Sequence, residues 1–294
     1  SANGGTIRKE QYGVKYYLDN SVHGKSPINY LPSGSNVKYY GQVIGRAKYS
    51  SDVVETPISA LVAKHCGVEN RWGKPAFHKG YPWQASLQYS ANPSIGVPGH
   101  LLNKAKEDFV KGILEHLDTL PELKKEVRPL TRMEVVCGRD GVRFVDKMPP
   151  NTSIGYPLGG PKRDHLTYLE AEDFPGFSCP AELDSRFWEE AMFIEELYLK
   201  GERAYPIYKA CLKDEPTPVS KTKVRVFQGA PVAFQLLVRR YFLPIMRIQS
   251  LFPIVSECAV GINAQGPEWQ ALCHHITRFG KDRILAGDYS KYDL

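Results

Sequence analysis

The chain has 294 residues, 42% of them hydrophobic and 24% charged, and its formal net charge is +6 with an isoelectric point near 8.8. This length and apolar content can bury a hydrophobic core, so they indicate a globular protein with one large domain or two smaller ones. The charge is too small for a histone-like tail. It is compatible with an ordinary slightly basic enzyme and with a basic channel for a polyanion.

The cysteines form no recognisable metal or disulfide framework. No C-x-x-C pair occurs, which argues against a zinc ribbon and favours reduced thiols in a cytosolic compartment. Cys273, His274 and His275 are adjacent, and neighbouring side chains on a helix point in different directions, so a metal site there is disfavoured. No apolar run is long enough to span a membrane, and no secretory signal opens the chain.

The first elements in chain order are irregular. Residues 1–50 are rich in Gly, Ser, Asn and Tyr, which predicts a loop-rich lead-in or linker. Residues 70–99 are also irregular but too aromatic for a disordered linker, so they predict an extended segment packed on the body. Apolar residues at helical spacing from Leu102 to Leu117 then predict an amphipathic helix, which Pro121 closes.

Helices and sparse strands alternate in the second half. Residues 183–199 predict a helix that ends at Gly201, a suitable C-cap. Residues 208–212 and 224–227 predict two strands that flank a proline-containing turn. Further helices are predicted over 232–250, bent at Pro244, and from Pro267 to Gly280, followed by a buried strand at 284–286. This mixture predicts an α/β (α+β) body.

Both ends of the sequence look unfinished. The chain begins at Ser1 without an initiator Met and stops at Leu294, directly after the predicted strand at 284–286. We therefore expect it to be a piece of a longer chain, such as a processed polyprotein or a partial clone.

The first candidate site follows that predicted strand, in the sequence D-Y-S-K-Y-D from Asp288 to Asp293. An aspartate at the end of a buried strand can be held rigidly enough to bind Mg²⁺, which prefers carboxylate oxygens together with substrate phosphates. Nucleotide polymerisation is a phosphoryl transfer that two such ions stabilise. Bare D-x-x-x-x-D spacing is also typical of a solvated turn.

A second candidate site lies on the predicted hairpin. Lys213, Lys221, Lys223 and Arg225 bring basic side chains to it, and alternate residues of a strand share a face. Such a row suits a triphosphate, which accepts bidentate hydrogen bonds from Arg and point-charge contacts from Lys. A solvated basic hairpin is the alternative interpretation.

A third candidate is the stretch T-S-I-G-Y-P, with K-R-D close behind it. Small residues with Gly and Pro predict a tight loop whose backbone N–H groups can approach phosphates, although the same pattern also occurs in ordinary turns. Its candidate residues are Thr152, Ser153, Gly155, Tyr156, Pro157, Lys162 and Arg163.

Taken in order, T-S-x-G-Y-P, K-R-D, K-D-E…K-x-K-x-R, V-G-I-N…G-P-E-W and D-Y-S-x-Y-D resemble the RNA-directed RNA polymerases of picorna-like positive-strand RNA viruses. The resemblance covers roughly residues 125–294. It implies a right-hand polymerase fold, with a lead-in over 1–50 that faintly resembles a protease–polymerase junction. The fingers and N-terminal region would occupy 51–280, and the start of the palm 281–294.

The resemblance also implies roles for single residues. Asp288 is similar to the metal-binding aspartate of the first palm motif, and Asp293 to the aspartate that recognises the ribose 2′-hydroxyl. Lys213, Lys223 and Arg225 are similar to the basic fingers strand that lines the nucleotide channel. Residues 152–157, with Lys162 and Arg163, are similar to the loop that guides the template.

The implied activity is template-directed RNA synthesis with Mg²⁺, or Mn²⁺, as cofactor. The implied partners are template and nascent RNA, ribonucleoside triphosphates and other viral replication proteins, and the implied location is the host cytoplasm at replication complexes. The family's Ser-Gly…Asn and Gly-Asp-Asp motifs do not occur in the sequence, so we expect this chain alone to be inactive.

Three other functions stay open at this point. A non-catalytic RNA-binding module would explain the basic loops and the aromatics Tyr156 and Phe227, with binding that weakens steeply with salt. A reverse transcriptase would commonly have a bulky aromatic residue in place of Asp293. A capsid protein would not explain five motifs in order.

Overall fold

The computed structural model describes residues 10–12, 14–15, 24, 26–35, 37, 48–79, 81–91, 96–221 and 224–289. Its helices are α1 (Ser59–Cys66), α2 (Pro82–Ala91), α3 (Gly99–Asp118), α4 (Pro121–Glu126), α5 (Arg132–Cys137), α6 (Ser185–Leu199), α7 (Val232–Leu251) and α8 (Pro267–Ile276). Its strands are β1 (Glu10–Gln11), β2 (Val14–Lys15), β3 (Trp72–Gly73), β4 (Leu166–Tyr168), β5 (Ala181–Leu183), β6 (Lys209–Leu212), β7 (Thr217–Pro218) and β8 (Val226–Gly229). Short 3-10 turns occur at Pro27–Tyr30, Lys162–His165 and Ala171–Asp173.

The strands pair as four antiparallel two-stranded ladders: β1 with β2, β3 with β7, β4 with β5, and β6 with β8. In the last ladder Lys209 faces Gly229 and Leu212 faces Val226. The β3–β7 ladder pairs Trp72 with Pro218, so residues early in the chain support the turn between β6 and β8.

The main hydrophobic core lies where α5, β5, α6 and α7 meet. Alternate residues of β5 and one face of each helix turn inward, which is how short elements with mixed polarity bury a common apolar surface. The most deeply buried side chains of this core include Val135, Val145, Phe187, Val232 and Leu236.

A charged cluster closes the start of α5. Thr131 and Glu134 form a capping box, with the Thr131 hydroxyl accepting from the Glu134 N–H and the Glu134 carboxylate accepting from the Thr131 N–H. Arg128 donates two hydrogen bonds of 2.7 Å to the Glu134 carboxylate, and the Arg139 Nε lies 3.5 Å from it. The hydrogen bonds from Arg128 lower the pKa of Glu134 to about 2. This buried carboxylate therefore stays ionised and joins α5 to the segment before it.

Most elements expected from the sequence are confirmed. The structure has helices at Gly99–Asp118, Ser185–Leu199, Val232–Leu251 and Pro267–Ile276. Pro121 begins α4, the helix that follows Gly99–Asp118. Gly201 has a φ of +74° just beyond α6, as its expected capping role requires. The predicted hairpin forms as β6 and β8. The boundaries at residues 50 and 280 stay predictions.

Two expectations were wrong. Residues 70–99 contain β3 and α2 instead of one extended segment, because Pro82 suits the first turn of a helix. Residues 284–286 form no strand, and Leu285 is fully exposed; an apolar run becomes a strand only beside a neighbour, and among the described residues none pairs with it.

Candidate functional site

The hairpin brings two predicted nucleotide-binding cations together. The Lys213 N–H donates to the Arg225 carbonyl at 2.9 Å, which extends the β6–β8 ladder by one pair beyond Leu212 and Val226. Directly opposed residues of an antiparallel pair project to the same face. Val224 and Val226 are buried, whereas the Arg225 side chain between them is largely exposed; that Lys223 shares the face of Arg225 stays a prediction.

A carboxylate lies between these two cations. The Lys213 Nζ is 2.9 Å from Oε2 of Glu215, and the Arg225 Nε is 3.9 Å from Oε1 of the same residue. The first distance is a charge-assisted hydrogen bond, whereas the second is only an electrostatic contact. Both cations stay accessible to solvent. Lys213 and Arg225 can therefore bind either the Glu215 carboxylate or an anion from solution.

The turn that carries Glu215 is tied to an earlier part of the chain. The Asp214 carboxylate accepts from the Ser51 hydroxyl at 2.6 Å and from the Asp52 N–H at 2.7 Å. These hydrogen bonds, from Ser51 first, lower the pKa of Asp214. Beyond the β3–β7 pairing, the Val219 N–H donates to the Arg71 carbonyl at 2.9 Å. Of the other basic candidates, Lys221 is exposed and Lys223 lies outside the described residues.

The predicted template loop packs against the residue pair that follows β8. The Val232 N–H donates to the carbonyl of buried Ile154 at 2.9 Å. Gly155 has a φ of +92°, and a β-carbon there would lie 2.7 Å from the Pro231 Cα and 2.9 Å from the Ala230 carbonyl oxygen. Only glycine fits this approach. The next peptide bond, between Tyr156 and Pro157, is cis. The loop and the hairpin are thus neighbours, joined at Gly229 to Val232.

Lys162 supports this loop with two hydrogen bonds from its buried side chain. Its Nζ donates to the Thr152 hydroxyl at 2.7 Å and to the Ser153 carbonyl at 2.9 Å, and the residue is 2% exposed. Burial, aided by the nearby Arg239 charge, lowers the pKa of Lys162. The sequence predicts a direct contact of Lys162 with RNA, whereas the structure turns its ammonium inward. A buried lysine whose donors are used by the loop cannot reach a phosphate without opening that loop.

The remaining loop residues are closer to solvent. Thr152 and Ser153 are exposed, and Tyr156 and Pro157 are half-buried; burial raises the pKa of Tyr156. The Arg163 side chain is largely exposed and donates to the Asn151 side chain at 3.1 Å. The outer surface of the loop therefore offers hydroxyls and one guanidinium, which are groups suited to phosphate contacts.

The predicted metal ligand, Asp288, follows α8 in the chain. Asp288 is exposed in the segment after α8, and Asp293 lies outside the described residues. Among the described residues, no hydrogen bond or ion pair connects Asp288 to the hairpin or to the loop, and no three His, Cys, Asp or Glu side chains come together as metal ligands. One exposed carboxylate nevertheless fits Mg²⁺, which proteins often bind through one or two carboxylates and substrate phosphates.

Comparison with known proteins decides the family. Residues 71–294 match the family described as viral RNA-dependent RNA polymerase. The chain belongs to this family. It is 27% identical to the RNA1 polyprotein of Cowpea mosaic virus over 74% of the chain and 12% of that polyprotein. It is 28% identical to the replicase polyprotein of Cricket paralysis virus over 72% of the chain and 12% of that polyprotein.

The right-hand polymerase fold expected from the resemblance is confirmed by a solved structure. The Sicinivirus 3Dpol RNA-dependent RNA polymerase matches 79% of this chain with a TM-score of 0.58 and 17% sequence identity. The match covers 46% of that structure, so the chain spans about half the length of its structural relative. Within the described ranges, every helix is too short or too polar to cross a bilayer.

Two features of the site escaped sequence reasoning. The K-D-E motif predicts a role for its lysine alone, whereas in the structure Glu215 contacts both cations. The contact of Asp214 with Ser51 crosses 163 positions, and no local pattern predicts it. The proximity of Glu215 to Lys213 in sequence was the one available signal.

Proposed function

We propose that this chain supplies the fingers and the beginning of the palm of a polymerase that copies an RNA template during replication of a picorna-like virus. The observation that carries this proposal is the pair of exposed cations, Lys213 and Arg225, on a hairpin that adjoins the glycine-dependent loop at residues 152–157. The family match supports it.

In this proposal the hairpin binds the triphosphate of the incoming ribonucleotide. The Arg225 guanidinium offers a planar set of donors that matches phosphate oxygens, and the Lys213 ammonium adds a compact charge beside it. Lys223 would extend the same row. Holding the triphosphate at several points places its reactive phosphorus, and such positioning is a large part of catalysis in phosphoryl transfer.

The loop would guide the template. Exposed Thr152 and Ser153 hydroxyls and the Arg163 guanidinium contact the RNA backbone, and Tyr156 and Pro157 offer flat apolar surface to a base. Gly155 lets the loop approach the start of α7, and Lys162 acts as a positioning residue beneath it. The template then enters beside the face that holds the nucleotide.

The chemistry would depend on carboxylates at the start of the palm. Asp288 would hold one Mg²⁺ or Mn²⁺ ion, and Asp293 would accept a hydrogen bond from the ribose 2′-hydroxyl. Two such ions, when bound, supply positive charge that stabilises the transferring phosphoryl group. A second metal-binding carboxylate is required, and we expect it in the Gly-Asp-Asp motif of the parent protein. By itself the 294-residue chain should therefore not extend a primer.

We also propose a cellular setting for the parent enzyme. We place the parent enzyme in the host cytoplasm at viral replication complexes. Its partners there would be template and nascent RNA, ribonucleoside triphosphates and other viral replication proteins, through which it associates with membranes.

The proposal is tested by titrating the 294-residue chain with ATP and with inorganic triphosphate in a calorimeter at low salt. Lys213→Met and Arg225→Met should each weaken binding about three- to ten-fold, because each removes one charged partner of the anion. Lys104→Met, which removes an exposed lysine from α3, is the matched control and should change affinity less than two-fold.

Two outcomes would argue against the proposal. Equal effects of all three variants would mean that the chain attracts triphosphate by net charge alone. Salt-sensitive RNA binding without triphosphate binding would favour the non-catalytic RNA-binding module instead.

In the parent enzyme, Asp288→Ala should abolish nucleotide incorporation and leave RNA binding nearly intact.

A further inference from the structure

Glu215 occupies the position that an anionic ligand of the hairpin would take. Its two carboxylate oxygens face different cations, with 2.9 Å from Oε2 to the Lys213 Nζ and 3.9 Å from Oε1 to the Arg225 Nε. A triphosphate bound by Lys213 and Arg225 would need the same donors. The carboxylate and the triphosphate therefore compete.

We propose that Glu215 is a displaceable internal anion. Without a bound anion the Glu215 carboxylate bonds to Lys213 and lies near Arg225, and an incoming triphosphate takes its place beside both cations. This inference rests on the proposed role of the hairpin in nucleotide binding. It assigns to Glu215 a positioning role: the carboxylate prepares the cations for the substrate and contacts them only while the substrate is absent.

The geometry favours easy displacement. The contact with Arg225 is too long for a hydrogen bond, so Glu215 engages the guanidinium only loosely. The Arg225 side chain is 64% exposed and that of Lys213 is 45% exposed, which leaves both open to a ligand from solvent. Ion pairs at such exposure are weak because water screens them, whereas a triphosphate offers several charges to the same two cations.

Displacement requires no movement of the backbone. On one side of Glu215, Asp214 is held by the Ser51 hydroxyl and the Asp52 N–H. On the other side, Thr217 pairs with Gly73 in the β3–β7 ladder, and Lys213 itself is bonded to the Arg225 carbonyl. The turn is thus anchored at both ends. Only the Glu215 side chain needs to rotate away, and it can return when the anion leaves.

The chain offers a charge-matched control outside the hairpin. Glu215→Gln removes the competing charge and keeps the side-chain shape. Glu202→Gln removes the same charge from an exposed residue outside the hairpin, where the carboxylate contacts neither of the two cations. A general change in net charge affects both variants alike, whereas loss of competition affects only the first.

The experiment is calorimetric titration of the 294-residue chain and both variants with inorganic triphosphate and with ATP at low salt. Glu215→Gln should tighten binding about two- to five-fold, which is the effect expected from losing an exposed ion pair. Glu202→Gln should stay within about 1.5-fold of the unmodified chain. Circular dichroism melting confirms that all three proteins are folded.

The possible results separate the inference from the proposed function. Equal tightening by the two variants would mean simple charge repulsion, and weaker binding by Glu215→Gln would mean that the carboxylate stays in place with the ligand; either result overturns the inference. Failure of Lys213→Met and Arg225→Met to weaken binding would instead overturn the proposed role of the hairpin, and the inference with it.

Discussion

Glu134 and Glu215 each lie between a pair of cations, but the two carboxylates have different roles. Glu134, at the start of α5, is buried and takes two hydrogen bonds of 2.7 Å from Arg128, with Arg139 behind. Glu215, on the hairpin, is partly exposed and takes one hydrogen bond from Lys213. Burial and the number of short hydrogen bonds account for the difference. The Glu134 ion pair stabilises the fold, whereas an anionic ligand can replace Glu215 beside its cations.

The same contrast separates the template loop from the hairpin beside it. The loop is shaped by buried contacts, with Gly155 against Pro231 and Lys162 beneath Thr152. The hairpin presents its cations to solvent. We therefore expect substitutions in the loop's support to lower stability, and substitutions on the exposed surfaces to change ligand binding alone.

The largest effect should come from Gly155→Ala. The new β-carbon would lie 2.7 Å from the Pro231 Cα, at a φ of +92° that side chains rarely adopt, so we expect the free energy of unfolding to fall by about 3 kcal/mol. Chemical denaturation measures it. Gly159→Ala is the control: its φ is also positive, but no atom lies within 4 Å, so only about 1 kcal/mol should be lost. Equal losses would mean that the close approach does not matter.

Glu134→Gln tests the buried pair. A pKa lowered from 4.5 to about 2 corresponds to about 3 kcal/mol of stability, which the half-exposed Arg128 reduces to about 2 kcal/mol. Because this pKa is lowered on folding, the contribution is present above pH 4.5 and is lost as the pH falls towards 2.

Denaturation of the unmodified chain and of Glu134→Gln should accordingly differ by about 2 kcal/mol at pH 6, and the difference should shrink through the window from pH 4.5 to pH 2. Glu215→Gln should lower stability by less than about 0.5 kcal/mol. A pH-independent difference for Glu134→Gln would show that shape, and not charge, holds the start of α5.

Lys162→Met should cost about 1–2 kcal/mol, because it leaves the Thr152 hydroxyl and the Ser153 carbonyl without their buried donor. RNA binding should weaken through the disturbed loop, while the salt dependence of binding should stay nearly unchanged, since a buried ammonium releases few counterions. A clear drop in the salt slope would instead mean that Lys162 contacts a phosphate directly.

Sequence patterns predicted the parts of this structure that depend on neighbours in the chain. Helical spacing predicted α3, and Gly201 ends α6 as its type requires. The patterns failed where distant groups decide. The apolar run at 284–286 predicts a strand, but no described strand pairs with it and it forms none. The charge of Lys162 predicts a phosphate ligand, but the sequence does not indicate that this residue is buried.

The smallest effect on stability should come from Arg163→Met, which should change RNA binding instead. The Arg163 side chain is largely exposed and contacts Asn151 and Asp164 only at the surface, so stability should change by less than about 0.5 kcal/mol. If the guanidinium binds a template phosphate, the slope of log affinity against log salt for single-stranded RNA should fall by about 0.7. Lys111→Met, on the exposed face of α3, should leave that slope unchanged. The reverse result would place the RNA path along α3 and away from the loop.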